Sequence, residues 1–155
     1  CFIQGSRVIT SPTLAKEIME GKKIKLFTKG LKNNMNMIRS KFLSKIATKV
    51  DKNLRGIRSC NMSFFKEDLI KVNGFEEEIE GWGREDSELA VRLFNIGKKK
   101  KKVKFEALTC HLYHNENDRS KLKKNDEYLA NATENKKTKA KKGLDRYEGS
   151  ITCDN

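Results

Sequence analysis

The chain has 155 residues and a net charge of +13, with a hydrophobic fraction of 36% and a charged fraction of 35%. That length builds one domain with a real core and leaves no room for two comfortable ones. No run approaches the ~18 apolar residues of a membrane span, and the N-terminus shows neither the basic nor the apolar region of a signal peptide. The chain opens at Cys1 inside a strand-like stretch, which reads as a piece cut from something longer.

Phe2 to Thr10 alternates apolar and polar residues around Ile3, Val8 and Ile9, which predicts a strand with a kink at Gly5. Ser11-Pro12 supplies a cap and a first-turn proline, and Gly21 a stop, so residues 12–20 should be helical. Residues 22–54 are basic and irregularly apolar. Met35, Met37, Ile38, Phe42, Leu43 and Ile46 are candidates for burial there, and a helix is expected within 36–49. Residues 55–65 read as a loop entering a short strand, and 66–72 as a short helix ended by Asn73-Gly74. A helix over 84–95 places Leu89, Leu93 and Phe94 on its apolar side and stops at Gly97. Residues 103–108 are strand-like, 111–117 a polar loop, and 121–132 a helix; the rest is a lysine-rich tail expected to be flexible. Helices interleaved with a few short strands indicate α/β or α+β architecture.

The charge is clustered. Lys98 to Lys102 form one basic run and Lys136 to Lys142 hold another, while acids concentrate at Glu76–Glu80 and Glu85–Glu88. A lysine run reads first as a solvated turn or tail. Without interleaved aromatics it argues weakly for nucleic acid, and it suits anionic lipid equally well. Cys1, Cys60, Cys110 and Cys153 form no Cys-x-x-Cys pair, so a zinc ribbon or thioredoxin-like motif is unsupported and free thiols are expected. Asn61-Met62-Ser63 and Asn131-Ala132-Thr133 match the N-glycosylation pattern, which matters only in a secretory compartment.

The chemistry concentrates in residues 81–93, GWGREDSELAVRL. Glu85 and Asp86 can simply favour a helix N-terminus through the macrodipole. Trp82 between Gly81 and Gly83 has no such role: the glycines permit unusual backbone angles and close ligand approach, and the indole offers a flat face for a sugar. Ordinary burial of Trp82 is the alternative. His111 and His114, the chain's two histidines, follow the last predicted strand and are either exposed loop residues or a pair able to share a metal.

In context, Gly81-Trp82-Gly83-Arg84-Glu85-Asp86 resembles the acceptor-side motif of inverting GT-A-type glycosyltransferases. The group concerned holds β-1,4-galactosyltransferases and bacterial chondroitin-polymerase-like enzymes. Residues 59–75, SCNMSFFKEDLIKVNGF, resemble the strand–helix–turn stretch that precedes this motif, in the right order and spacing. Gln4-Gly5-Ser6-Arg7 is a weaker third match. The resemblance covers about residues 2–120. It implies an α/β fold, the C-terminal, acceptor-side portion of a Rossmann-like GT-A domain whose nucleotide-binding half is absent. Residues 1–120 would be that portion, and 121–155 a helix with a flexible tail.

The activity implied is inverting transfer from a nucleotide sugar, a UDP-sugar by expectation, to a hydroxyl of a glycan or lipid-linked saccharide, as in polysaccharide synthesis. Asp86 would be the general base and Glu85 its neighbour on the acceptor. Trp82, Gly83 and Arg84 would bind substrate, with Asn61 and Arg7 as further contacts. His114, with His111 beside it, would bind Mn²⁺ or another divalent cation. No Asp-x-Asp occurs in the sequence, a departure from the family that puts the metal and donor sites in doubt. The implied location is cytoplasmic, with possible peripheral membrane association, for a bacterial enzyme, or the Golgi lumen for a eukaryotic one. Two rivals stand beside it. One is a basic module for nucleic acid or membranes, exposed by steep salt dependence. The other is a sugar-binding remnant without turnover.

Overall fold

The N-terminal strand divides at Gly5, and the two pieces join different sheets. A computed structural model, which describes residues 1–147, has a mixed α/β fold. In chain order its strands are β1 (Phe2–Gln4), β2 (Ser6–Thr10), β3 (Leu31–Lys32), β4 (Lys49–Asp51), β5 (Met62–Ser63), β6 (Lys100–Lys102) and β7 (Leu108–His111). Its helices are α1 (Pro12–Met19), α2 (Lys41–Ala47), α3 (Lys66–Lys71), α4 (Glu85–Asn95) and α5 (Leu122–Glu134). One sheet has the order β4-β6-β1-β5 and the other β3-β2-β7. β1 runs parallel to β6, with Ile3 opposite Lys101, and β2 runs parallel to β7, with Val8 opposite Cys110.

Residues 103–107 cross between the sheets opposite Gly5. The Ser6 amide donates to Ala107 at 2.7 Å and the Val103 amide to Gln4 at 2.9 Å. A Cβ on Gly5 would lie 2.3 Å from the Asn61 amide nitrogen and 2.7 Å from the Ala107 carbonyl, so only glycine fits this close approach. The strand expected over 103–108 does not form: residues 103–107 are this irregular crossing, with Phe105 at a φ of 64°, and the strands β6 and β7 lie on either side of it.

α1 begins as its sequence dictates: the Ser11 hydroxyl accepts from the Leu14 amide at 3.2 Å and Pro12 fills the first turn. α4 ends at Gly97, whose φ of 85° lets its amide and that of Lys98 close on the last carbonyls at 3.0 and 2.9 Å. α4 also supplies most of the core. Leu89, Ala90, Leu93 and Phe94 pack with Phe2, Ile57 and Val72, and the Phe2 ring stacks between Phe64 and Phe94 at 5.6 and 5.7 Å.

Three expectations fail here for physical reasons. The lysine run read as a solvated turn contains β6, with Lys100 only 1% exposed in the four-stranded sheet. Its ammonium is satisfied by the carbonyls of Asn53 and Arg55 and by Asp51 at 3.2 Å, which offsets the cost of burying a charge. The helix expected within 36–49 forms as α2, yet Phe42, Leu43 and Ile46 face outward and Ser44 is its buried residue. Met35 is exposed as well.

The basic tail is also ordered as far as it is described. Lys141 and Lys142 donate their amides to the buried Glu76 carboxylate at 2.7 and 3.2 Å, and the Ala140 amide donates to Val72 at 3.0 Å. Asn73, at φ 62°, clasps Ala140 and Asp145 through its side chain at 3.1 and 2.8 Å. A Cβ on Gly143 would fall 1.9 Å from the Asn73 carbonyl oxygen, so the two segments touch backbone to backbone.

Glu78 adds an ionic clasp, accepting from Lys142 at 3.0 Å, Lys141 at 3.3 Å and the Tyr128 hydroxyl at 3.1 Å. Hydrogen bonds from Lys142 and then Tyr128 lower its carboxyl from an ordinary 4.5 to about 2. A folded value below the unfolded one means that the clasp's stabilisation is present above the ordinary value and fades as pH falls through the folded one. Both lysines are exposed, so salt should weaken the clasp too. Hydrogen-exchange protection of the Lys141 and Lys142 amides should therefore drop on acidification across that window, before the amides of α4 lose theirs. Constant protection would show that the ion pairs hold nothing.

Candidate functional site

The turn leading into α4 is built from left-handed backbone. Gly81, Gly83 and Arg84 have φ values of 76°, 96° and 80°. Arg84 holds this conformation as the cap of α4, without a side-chain capping bond. α5 clamps the turn from below. Asn125, 1% exposed, donates to the Glu80 carbonyl at 2.9 Å and the Gly83 carbonyl at 3.0 Å, and Asp126 pairs with Arg84 at 2.5 Å. The Trp82 amide donates to Asp118 at 3.2 Å, and the Arg119 guanidinium sits over the indole at 4.0 Å. One face of Trp82 is thus taken, and a sugar could stack only on the other.

Asp86 lies in the first turn of α4, 9% exposed. One carboxylate oxygen accepts from the Ser59 amide at 3.3 Å and the other from the Ser87 hydroxyl at 3.2 Å. Ser59 is placed in turn by Gln4. That buried side chain accepts from the Arg58 amide at 2.9 Å and donates to the carbonyls of Arg58 and Asn61 at 3.2 and 3.0 Å. Glu85 differs from Asp86: its Oε2 is buried and has no hydrogen-bond partner among the described residues. A carboxylate oxygen left in that state is costly and calls for a partner that the described residues do not supply.

These groups line one cleft of about 930 Å³, a volume suited to a small-molecule site. The cleft brings together Arg7, Trp82, Gly83, Arg84, Glu85, Asp86, His111 and His114 from three separate stretches of sequence. The histidine rings lie 5.1 Å apart, centre to centre, in an edge-on arrangement. Burial, then the charges of Arg7 and His114, push the His111 imidazole below its ordinary value, which keeps a lone pair free on it. His114 Nδ1 is 2.9 Å from the Asn115 carbonyl, a contact that leaves Nε2 as the ring nitrogen open to the cleft. Two imidazoles make only part of a metal site. Among the described residues, no group of three or more histidine, cysteine, aspartate or glutamate side chains could hold an ion. The pair fits a divalent cation only with acidic ligands from beyond it.

Asn61 is placed differently from the substrate contact expected of it. Its amide donates to the Ser6 and Ala107 carbonyls at 2.6 and 3.2 Å, plugging the gap opposite Gly5, and its side chain is outside the cleft. Arg84 reaches the cleft, but its guanidinium is engaged by Asp126. Lys32, Arg58 and Tyr113 line the cleft without having been legible, since none sits in a motif. Gln4 lay within the weakest of the matched motifs; its role shows only once the Arg58–Asn61 turn is seen wrapped on it. Cys1, Cys60 and Cys110 are free and exposed, and Cys153 lies outside the described residues.

Residues 27–116, more than half of the chain, match the family model described as the N-terminal domain of galactosyltransferase. The chain belongs to this family. The match takes in Asn61, Trp82 to Asp86 and both histidines, while Arg7 precedes it and Asn125 follows it. Membership supports glycosyltransferase activity in general, and with it a nucleotide-sugar donor and a carbohydrate acceptor. No curated protein and no solved structure matches the chain. No helix among the described residues is long and apolar enough to cross a membrane.

Proposed function

We propose that the cleft is the acceptor side of a GT-A-type domain, inverting in mechanism, that transfers a hexosyl group from a UDP-sugar to a carbohydrate hydroxyl. The observation that carries this reading is the unpartnered Glu85 oxygen beside Asp86 and Trp82, in a chain of the galactosyltransferase family. Trp82 stacks on the acceptor ring with the face opposite Arg119. Glu85 Oε2 accepts a hydrogen bond from an acceptor hydroxyl, which supplies the partner it lacks. Asp86 removes the proton of the attacking hydroxyl as that oxygen meets the anomeric carbon, and the diphosphate departs from the opposite face. Aligning two sugars in line accounts for much of the barrier lowering. A divalent cation, Mn²⁺ in this reading, would be held by His114 with His111 beside it and would offset the charge of the departing diphosphate.

Calorimetry tests the reading with UDP and Mn²⁺, added to the full natural protein separately and then together. UDP should bind more tightly with Mn²⁺ present, and His114→Ala should weaken that metal-dependent binding by at least about tenfold. An equal metal effect in wild type and variant would remove His114 from the donor site. Acceptor binding with no turnover would leave a sugar-binding remnant.

A further inference from the structure

α2 faces the wrong way for a helix whose only partner is its own core. Its buried residue is Ser44, 2% exposed, while Phe42 and Ile46, one turn apart on a single face, are 72% and 69% exposed. Leu43 is 40% exposed, and Val50 just beyond the helix is 52% exposed. Lys41 and Lys45 form the adjacent row of the same helix surface, and Lys49 follows; all three are exposed. A surface helix ordinarily turns its apolar stripe inward and its charges outward, so an outward stripe needs an apolar partner.

The charge around α2 narrows the partner. From Gly21 to Val50 the chain has nine lysines and arginines and no acidic residue. Among the described residues only Lys22 of these nine is ion-paired, with Glu17. A second copy of the chain would set these cations against one another, which disfavours self-pairing. Nucleic acid suits the charge and would find one ring to stack on in Phe42, but Leu43, Ile46 and Val50, the rest of the exposed apolar surface, give bases nothing to stack on. An anionic bilayer surface satisfies both: lysines meet the headgroups while phenylalanine and the aliphatic chains enter the acyl boundary.

We propose that the outward face of α2, Phe42 and Ile46 flanked by Lys41, Lys45 and Lys49, docks the protein on anionic lipid bilayers. The proposal is independent of the sugar-transfer reading, since none of these residues lines the cleft. It also differs from attachment through the basic tail, where Lys141 and Lys142 are occupied by Glu78.

Flotation of the full chain with phosphatidylcholine vesicles, with and without phosphatidylglycerol, tests it. The protein should float only with the anionic vesicles. Phe42→Ser with Ile46→Ser should weaken that binding by at least about tenfold, from the lost apolar burial. Lys41→Glu with Lys45→Glu should weaken it by at least about 25-fold, from about fivefold per lysine near an anionic surface. All four side chains are exposed, so thermal melting of the variants should match wild type. Failure of the wild type to float would overturn the proposal. So would full binding by the serine variant, which would reduce the effect to diffuse charge. A dimer seen in sedimentation and abolished by the serine variant would instead assign the face to a second copy.

Discussion

Asp86→Asn should lower the sugar-transfer rate of the full natural protein by about 10²–10⁴-fold while leaving UDP affinity within a factor of a few. The substitution is nearly isosteric. An asparagine oxygen can still accept from the Ser59 amide, now at 3.3 Å from the Asp86 carboxylate, so the first turn of α4 and the 58–61 turn should keep their places. What disappears is the basicity of the group that takes the proton. Thermal stability measured beside the rate separates the two effects: a slow enzyme that melts with wild type has lost chemistry, not structure. Glu85→Gln provides the contrast, because a residue that only binds the acceptor should raise KM more than it lowers kcat. Equal transfer rates for Asp86→Asn and wild type would remove Asp86 as the base.

Legibility in the sequence followed how local each signal was. α1 and the ends of α3 and α4 were written in adjacent residues: Ser11-Pro12, Asn73-Gly74 and Gly97 each act on their own backbone. The kink at Gly5 was visible for the same reason. β6 was not, because Lys100 to Lys102 have no strand-like composition and the strand exists only because Asp51, Asn53 and Arg55 arrive to satisfy Lys100. α2 misled in the opposite sense. Its apolar residues fit a helical face, but periodicity cannot say which face meets the core. The tail was misjudged because lysine content argues for solvent exposure, whereas its docking depends on backbone amides received by Glu76 and Asn73.

The candidate site divides along the same line. Trp82, Glu85, Asp86 and the histidines stood out as unusual residue types in unusual spacing, and they share one cleft. The residues that hold them did not stand out. Gln4 reaches Asp86 through the Arg58–Asn61 turn, and Asn125 fixes the Gly81–Arg84 turn through two carbonyls that lie 45 and 42 residues upstream. Asn61, expected as a substrate contact, shows the converse: its side-chain amide is committed to the carbonyls of Ser6 and Ala107 as a structural plug. Such roles depend on which carbonyl is orphaned in the folded chain, a property no local pattern encodes.

The second large effect is expected at the ion pair beneath the site. Arg92 is fully buried, and Glu88 meets it in two parallel bonds, Nε to Oε1 at 2.8 Å and Nη2 to Oε2 at 2.7 Å. The remaining terminal nitrogen donates to the carbonyl of Val72, which also receives the Ala140 amide of the tail. One guanidinium therefore ties α4 to the end of α3, where residues 73–84 begin their path to the Trp82 turn. Glu88→Ala should destabilise the protein by about 3–5 kcal/mol, because Arg92 would keep its charge buried with no carboxylate to pair it. For a chain of this size that is a drop in Tm of about 10 °C or more. Replacing both residues, Glu88→Leu with Arg92→Met, removes the stranded charge and should recover most of the loss in chemical denaturation. The recovery should be incomplete, since the Val72 carbonyl loses its arginine donor in the double variant. If the single variant melted with wild type, the pair would be peripheral to stability. A double variant no better than the single would place the cost in lost hydrogen bonds and packing rather than in an unpaired charge.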